Sequence, residues 1–150
     1  MVYDAVNRLE STTDPLGNVF TYNYDEKGNV TAHIAENGDR TPLEYAALNR
    51  LIFKTNPVGD VTSYTYDGVG NLSTVLLPGG NQVSMSYDPL NRMQTISDNL
   101  GSVSTYTYDN NSNRLTTTDG NNNITKIFYE ELNRIVRMED PKGNAIENGY

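Results

Sequence analysis

Residues 64–72 read "YTYDGVGNL", and this stretch decides the fold because the chain keeps repeating it. Near copies are "YNYDEKGNV" at residues 22–30 and "YTYDNNSNRL" at residues 106–115. A signature tyrosine recurs every 21 residues, at Tyr3, Tyr24, Tyr45, Tyr66, Tyr87, Tyr108, Tyr129 and Tyr150. A fixed period of this length is typical of a repeat protein. The sequence therefore predicts that residues 1–150 form a single array of about seven repeats, with units starting near the first seven of these tyrosines.

Each repeat contains two turn signals. The first signal begins with the acidic residue after the tyrosine, which is Asp4, Asp25, Asp67, Asp88 or Asp109. It includes the residue four positions after the tyrosine, which is Asn7, Gly28, Asn49, Gly70, Asn91, Ser112 or Asn133. The second lies fourteen residues after the tyrosine, at Gly17, Gly38, Gly59, Gly80, Gly101, Asn122 and Gly143, in stretches such as "DPLG" and "NPVG". Asp, Asn and Pro start turns, and Gly and Asn tolerate positive φ. Segments of about six residues, the usual strand length, separate the turns. Each repeat is therefore predicted to be a β-hairpin.

Two details vary along the array. In the sixth repeat Leu115 stands one place late, so we expect a longer turn offset by a shorter strand. A second rhythm of 42 residues distinguishes odd repeats from the first two even ones. Odd repeats end the first turn with Asn-Arg (7–8, 49–50, 91–92, 133–134), whereas the even ones end it with Gly-Asn (28–29, 70–71).

The strand that ends at the tyrosine has one apolar face. Side chains alternate between faces, so each tyrosine shares a face with the residue two before it. These pairs are Tyr22/Tyr24, Leu43/Tyr45, Tyr64/Tyr66, Met85/Tyr87, Tyr106/Tyr108 and Ile127/Tyr129. The opposite face is rich in Thr and Ser. The pattern therefore predicts that the tyrosine face is buried inside the fold and that the Thr/Ser face is exposed to solvent. In the partner strand, Phe53 and Leu76 are expected to continue the apolar face.

Seven hairpins give an all-β antiparallel meander of about fourteen strands. An open sheet rarely exceeds about ten strands without curling or splitting, so this one is expected to curl. A closed barrel of that size is too wide for side chains to fill. The pattern predicts a long curled meander, a spiral or a partial hollow barrel, and leaves open a hollow wall or a collapsed sandwich.

Composition limits the classes of partner. The 150 residues carry a net charge of −8, which argues against nucleic acid and anionic membranes. There is no cysteine, so neither disulfides nor cysteine-based metal sites are expected. The sequence contains no run of about 18 apolar residues, so no membrane-spanning segment is predicted. The start of the chain does not have the pattern of a secretory signal.

The motifs "YDxxGNL" and "YDxLNRL", each followed by "DPxG" and then "VTxYTYD", resemble the YD repeats, or RHS repeats, of bacterial Rhs proteins, wall-associated and toxin-complex proteins, and teneurins. The resemblance covers the whole chain. It implies a β-sheet that spirals into a hollow shell around a toxin or effector domain, or an adhesion ectodomain in teneurins. Further YD repeats and toxin or effector cargo are the implied partners, and the implied location is extracellular or on the cell surface.

The chain departs from toxin-bearing members at its end. It stops at "DPKGNAIENGY", without their terminal core segment and aspartyl self-cleavage site. We therefore expect a fragment of a larger shell, or the product of a truncated gene. Such a fragment is expected to expose sheet edges through which copies associate.

No catalytic, cofactor-binding or metal-binding residues are predicted, and the protein is expected not to be an enzyme. The loop from Asp109 begins like a calcium-binding EF-hand, but Arg114 and Gly120 occupy positions that need Gly and Glu. The aspartates are expected instead to accept backbone N–H groups of their own turns. His33 is assigned to the wet face, without a Ser or Cys partner at a recognisable spacing.

Two surface features have functional alternatives. Arg8, Arg50, Arg92 and Arg134 could pair with acids of neighbouring turns, or form a row that binds anions. Tyr22, Tyr64 and Tyr106 could stack on sugar rings, which would make the chain a carbohydrate-binding or adhesion module that uses Tyr and Asn. The competing interpretation is that these tyrosines line the inside of the sheet, with their hydroxyls bonded to water or neighbours.

Overall fold

The computed structural model describes residues 1–101 and 103–149, which contain fifteen β-strands and one 3₁₀ turn at Ala47–Asn49. The strands are β1 (Val2–Tyr3), β2 (Leu9–Thr13), β3 (Val19–Tyr24), β4 (Val30–Ile34), β5 (Arg40–Tyr45), β6 (Leu51–Thr55), β7 (Val61–Tyr66), β8 (Leu72–Leu76), β9 (Gln82–Tyr87), β10 (Met93–Asp98), β11 (Val103–Tyr108), β12 (Arg114–Thr118), β13 (Ile124–Tyr129), β14 (Ile135–Glu139) and β15 (Ala145–Glu147). Their order follows the chain, which confirms the predicted all-β meander of hairpins. The eighth signature residue, Tyr150, lies outside the described residues. In the part of the chain described, no helix has the length and apolar character needed to cross a membrane.

The strands fall into two compact units. The first contains Met1–Thr65 and Val75–Gly80, and the second contains Tyr66–Thr74 and Asn81–Tyr150. In the first unit β1 to β7 pair antiparallel, each with the next. In the second, β9 to β15 do the same. Each unit is therefore a meander of nearest-neighbour hairpins.

The turns have the backbone conformation that the Gly and Asn positions predict. The residue four after each tyrosine has φ between 56° and 101°, from Asn49 to Gly70. The residue fourteen after each tyrosine has φ between 63° and 98°, from Asn122 to Gly101. These values lie in the left-handed region, where Gly and Asn are best tolerated. The positive-φ prediction is confirmed at both turns.

A β-bulge follows each tyrosine hairpin for which pairing is described. Tyr24 lies opposite Val30, and Asn23 lies opposite Ala32, which leaves Thr31 as the extra residue. The same break in register occurs at the first, third, fifth, sixth and seventh tyrosines. A bulge places two residues of one strand against one residue of the other. From that point onward it reverses the face expected from simple alternation.

The bulge overturns two predictions about faces. Phe53 lies opposite Glu44 and Ser63, on the face away from the tyrosines, and does not continue the apolar face. His33 lies directly opposite Tyr22, so it is on the tyrosine face. Its side chain is exposed, as expected, but from the other side of the sheet. Both assignments were wrong because period-two counting crossed the extra residue.

The sixth repeat has an ordinary turn, so the prediction of a longer turn is wrong. Asp109 N donates to Asn113 O at 3.0 Å, which closes the same five-residue turn as in the other repeats. Arg114 pairs with Tyr108 in the place of the usual aliphatic residue, and β12 keeps five residues. Leu115 therefore occupies the bulge position. The sixth repeat therefore differs from the others in residue type at position 114, and its turn and strand have the usual lengths.

Neither face of the sheet is covered within either unit. Among the described residues only two side chains are buried: Ala32 in the first unit, at 0 % exposure, and Ile127 in the second, at 5 %. The tyrosines that precede the turns are half-buried, apart from the more exposed Tyr3. Two sheets packed face to face would enclose one inner face along every strand. Within each unit the sheet is therefore a single layer, not a collapsed sandwich.

Candidate functional site: the row of tyrosine turns

The candidate site is the row of tyrosine turns, because polar side chains of one turn bond the next turn there. These turns are residues 4–8, 25–29, 46–50, 67–71, 88–92, 109–113 and 130–134. In the turn at 88–92, Asp88 N donates to Arg92 O and Asp88 O accepts from Asn91 N, both at 2.9 Å. The Asp88 carboxylate accepts the backbone N–H of Leu90 at 2.9 Å and of Arg92 at 3.0 Å. We call this arrangement the aspartate clamp. It holds the turn by satisfying two backbone donors that the hairpin leaves free.

The clamp recurs in both kinds of turn. In the tyrosine turns the carboxylates of Asp4, Asp25, Asp67 and Asp109 accept the same backbone donors. In the second turns Asp14, Asp119 and Asp140 do so. This confirms that Asp109 serves its own turn. Among residues 1–101 and 103–149, no three His, Cys, Asp or Glu side chains lie close enough to hold a metal ion.

Hydrogen bonds lower the pKa of the clamp aspartates. The largest cause at Asp25, Asp67 and Asp109 is the side-chain carboxamide of the Asn four residues later. At Asp4 and Asp88 the largest cause is the backbone N–H of the Arg four residues later. These donors bond the ionised carboxylate, so they favour its charged form. The clamps therefore depend on deprotonated aspartate.

Acid is expected to destabilise the protein. The unfolded aspartates titrate at about pH 4, and the folded ones titrate lower, so at acidic pH the unfolded chain binds more protons. The stabilisation is therefore complete above about pH 4 and is lost as the pH falls through the folded pKa values. We expect the thermal midpoint (Tm) to fall as the pH is lowered below about 4, and a series of melting curves measures this.

Asp88→Asn provides the control for that series. It keeps an oxygen acceptor, as Asn56 does in its own turn, where Oδ1 accepts the N–H of Val58 and Asp60 at 3.1 and 2.8 Å. The substitution removes one titrating clamp, so its acid-induced fall in Tm is expected to be smaller. A Tm that stays constant or rises as the pH is lowered below about 4 would contradict the role assigned to the clamps.

Three further sets of contacts use the same turns. Four turns end in Arg and are called arginine turns: 4–8, 46–50, 88–92 and 130–134. Arg92 pairs with Asp88 of its own turn at 2.7 Å, donates to the backbone oxygen of Asp109 at 2.7 Å and lies over the Tyr108 ring at 4.6 Å. Arg8 repeats this pattern with Asp4, the Asp25 backbone oxygen and Tyr24.

The arginine ladder predicted from sequence is therefore wrong in its pairing. Arg8, Arg92 and Arg134 each pair with the acid of their own turn. Arg8 and Arg92 contact the next turn through a backbone carbonyl and the face of its tyrosine. A cation over an aromatic ring is attracted by the charge distribution of the ring. Arg8 and Arg92 therefore join one repeat to the next.

The remaining turns end in Asn and are called asparagine turns: 25–29, 67–71 and 109–113. The final Asn bonds the Asp of its own turn and also donates to the positive-φ Asn of the following arginine turn. The inter-turn bonds are Asn29 Nδ2 to Asn49 Oδ1 at 3.0 Å, Asn71 to Asn91 at 3.2 Å and Asn113 to Asn133 at 2.7 Å. The 42-residue rhythm of the sequence thus reflects two alternating kinds of junction.

The hydroxyl of the signature tyrosine bonds the backbone of the preceding repeat. Tyr24 donates to the Leu9 carbonyl at 2.7 Å, Tyr87 to Leu72 at 2.9 Å and Tyr108 to Met93 at 2.8 Å. Tyr129 does the same to Arg114 at 3.2 Å. At Leu9, Met93 and Arg114 the acceptor is the residue just before the bulge, where the ladder is interrupted. Sequence reasoning missed this partner because the bulge that frees the carbonyl leaves no signal in the residue types.

The other signature tyrosines differ in their surroundings. Tyr3 is 53 % exposed, and its hydroxyl contacts the Met1 sulfur at 3.8 Å. Burial, and then the negative charge of Asp25, raise the pKa of the half-buried Tyr45. Tyr66 is half-buried at the end of β7. The exposure and the contacts of the signature tyrosine therefore differ from repeat to repeat.

The three tyrosines considered for sugar stacking lie two residues before the signature ones. Tyr22 packs edge-on against His33, with ring centroids 5.3 Å apart, and lines a polar depression of about 420 Å³ with Asp4, Glu10 and Asn23. Tyr64 lines a depression of about 240 Å³. It shares this depression with Lys54, Asn56 and Asp60.

Tyr106 has different surroundings from the other two. The Arg114 guanidinium lies 5.7 Å from its ring centroid. Its side chain faces Thr117 across the sheet, on the tyrosine face of β11 and β12. All three tyrosines are half-buried, so part of each ring remains open to solvent.

Comparison with known proteins gives one family and one fold. The sequence profile described as RHS Repeat matches residues 3–40, 45–82, 66–103 and 87–124. No curated protein matches the sequence. A crystal structure of TcdB2-TccC3-TEV is similar with a TM-score of 0.80 and 15 % identity, over 97 % of this chain and 9 % of that one. The Photorhabdus luminescens Tc holotoxin pore, with a mutated TccC3, gives a TM-score of 0.77 at 15 % identity, over 97 % and 9 %. This chain therefore spans less than one tenth of the length of either.

Proposed function

Because the chain belongs to the RHS repeat family, we propose that it is a non-enzymatic length of β-wall in a larger secreted or cell-surface protein. The wall is part of a shell that encloses or displays a toxin or effector domain. One observation carries the proposal: within each unit the sheet is a single layer whose polar turn side chains bond the next repeat. Such a layer has little core of its own, so it serves as a surface built by adding repeats.

The chemistry of the turns favours a wall over an enzyme. The clamp aspartates bond backbone N–H groups, Arg8 and Arg92 bond carboxylates and carbonyls, and four signature tyrosines bond carbonyls. Groups occupied in this way hold a structure together. General acid–base catalysis instead requires a group that can reach a substrate proton. The proposed role of the signature residues is accordingly structural.

The proposed partners follow from the family and from the similar structures. Further YD repeats would adjoin the sheet edges, and an effector domain would be the cargo. The similar structures are assemblies that contain TccC3, and this chain corresponds to a small part of them. Copies of the isolated chain would also associate through β1 and β15, since an unpaired strand edge invites pairing. In this proposal the seven repeats act as one array.

Limited proteolysis of the full-length parent protein tests enclosure. Deleting two whole repeats, residues 45–86, keeps the alternation of turn types but shortens the wall. We expect trypsin to cleave the cargo domain rapidly in the deleted form and slowly in the intact protein. Substituting Ser63 by Ala, on the face away from the tyrosines, serves as the control. Equal cleavage of the cargo in the intact and deleted proteins would rule out enclosure by this segment.

A carbohydrate-binding or adhesion module is the second candidate. The observation that favours it is the depression beside Tyr22, which an aromatic residue lines together with the polar residues Asp4, Arg8 and Glu10. Sugars bind where a ring stacks on their apolar face and polar groups bond their hydroxyls. This candidate predicts saturable saccharide binding that Tyr22→Ala abolishes without unfolding. Tyr22→Ala would leave protection of a cargo unchanged, so the two candidates can be separated.

A further inference from the structure

The junctions between tyrosine turns explain why arginine turns have Asn at positive φ. Gly28 and Gly70 provide the same backbone conformation in asparagine turns, so the conformation alone does not require Asn. In arginine turns, Asn49 and Asn91 use their side-chain oxygens to accept the carboxamide of the preceding asparagine turn. The Asn side chain thus accepts a hydrogen bond that only a neighbouring turn of the asparagine type donates. Gly at that position could not accept this bond.

The tyrosine of the same arginine repeat makes a second bond across that junction. Tyr87 donates to the Leu72 carbonyl at 2.9 Å while Asn91 accepts from Asn71 at 3.2 Å. Tyr129 and Asn133 make the same pair of contacts with Arg114 and Asn113. An arginine repeat therefore presents one donor and one acceptor to the repeat before it. An asparagine repeat presents the complementary carbonyl and carboxamide.

The first repeat is an arginine repeat that presents the same two groups without such a neighbour. Asn7 has φ 64° and is exposed, and no described residue donates to its side-chain oxygen. Tyr3 is 53 % exposed, and its hydroxyl contacts only the Met1 sulfur among the described residues. Both groups lie on the β1 side of the first unit. The Tyr3 hydroxyl corresponds to the Tyr87 donor, and the Asn7 side-chain oxygen corresponds to the Asn91 acceptor.

We propose that the β1 side is a docking surface specific for a YD repeat of the asparagine type, with the sequence Tyr-Asp-x-x-Gly-Asn. The carboxamide of its final Asn would donate to Asn7 Oδ1. The carbonyl of its next residue would accept the Tyr3 hydroxyl. The occupant is a further repeat joined in the same chain before Tyr3, and this identification rests on the proposed function as a wall of repeats.

The first step of the test compares Asn91→Gly with Asn7→Gly. Gly keeps the positive-φ backbone at both positions, so the two substitutions differ in the bond that each removes. Asn91→Gly removes the bond from Asn71, and we expect a fall in Tm of about 2–4 °C. Asn7→Gly removes no described bond, and its Tm is expected to stay within about 1 °C of the parent chain. Equal shifts would overturn the reading of Asn91 as an acceptor that recognises its neighbour.

The second step adds the proposed partner. A copy of residues 64–86, which carry an asparagine turn, is placed before Tyr3 in place of Met1 and Val2. We expect the urea m-value to rise as the added repeat pairs, and Asn7→Gly to become as damaging as Asn91→Gly. The matched control is the same added copy with its Asn71 changed to Ala, in which Asn7→Gly should again have little effect.

Two outcomes of the second step would overturn the docking proposal. The first is an unchanged m-value, which would show that the β1 side does not accept the repeat. The second is a raised m-value with Asn7→Gly still neutral, which would show pairing without recognition through Asn7. Neither outcome affects enclosure, because trypsin cleavage of the cargo in the parent protein tests that separately.

Discussion

Replacing Tyr108 by Ala is expected to lower the free energy of unfolding by about 3 kcal/mol, a sum of three losses. The half-buried ring leaves a gap in the sheet surface. The Arg92 guanidinium, 4.6 Å from the ring centroid, loses its aromatic partner. The Met93 carbonyl loses the hydroxyl that bonds it at 2.8 Å. Urea denaturation followed by far-UV circular dichroism measures the change.

Two comparisons isolate the causes of the Tyr108 effect. Tyr108→Phe removes only the hydroxyl, and we expect a loss of about 1 kcal/mol. Tyr3→Ala makes the same change at the same position of the first repeat, where the side chain is 53 % exposed. It is expected to cost less than about 1 kcal/mol, as surface substitutions usually do. Similar losses at Tyr3 and Tyr108 would refute the claim that contacts with neighbouring repeats stabilise the signature tyrosine.

Ile127→Ala should produce the second large effect, a loss of about 2–3 kcal/mol. Ile127 is 5 % exposed, in β13, and lies opposite Met138 of β14. Removing its outer carbons takes away contacts that few neighbours can replace, because a single-layer sheet has no second layer to move in. The midpoint and slope of urea denaturation measure the loss.

Ile146 provides a matched control for Ile127. It lies opposite the same Met138, but from β15, and is 73 % exposed. Ile146→Ala is expected to change the free energy of unfolding by less than about 0.5 kcal/mol. If the two alanine substitutions cost the same, burial at Ile127 would not be what makes that position important.

The strand and turn pattern could be predicted from sequence because it depends on local properties. The 21-residue period, the Asp at the start of a turn and the Gly or Asn at positive φ act within one hairpin. The structure confirms the fold class and the positive φ of Gly28 and Asn122. Local backbone preference decides these features, so no knowledge of neighbouring repeats was needed.

The partners of the side chains could not be predicted, because one extra residue per hairpin alters them. The bulge at Thr31 placed His33 beside Tyr22, and the equivalent bulge placed Phe53 beside Glu44. It also freed the carbonyls that the signature tyrosines bond. The Asn-Arg and Gly-Asn rhythm was visible in the sequence. Its meaning required the distance between adjacent turns, since Asn71 and Asn91 are 20 residues apart.

The contacts between repeats have a consequence for how the chain acquires its structure. The hydrogen bonds that join one turn or tyrosine to the next connect residues 15 to 22 positions apart. Chains dominated by short sequence separations fold quickly, because little loop entropy is lost before each contact forms. Each hairpin can therefore add to the one already formed as the polypeptide leaves the ribosome. Assembly from one end needs no closure between distant segments.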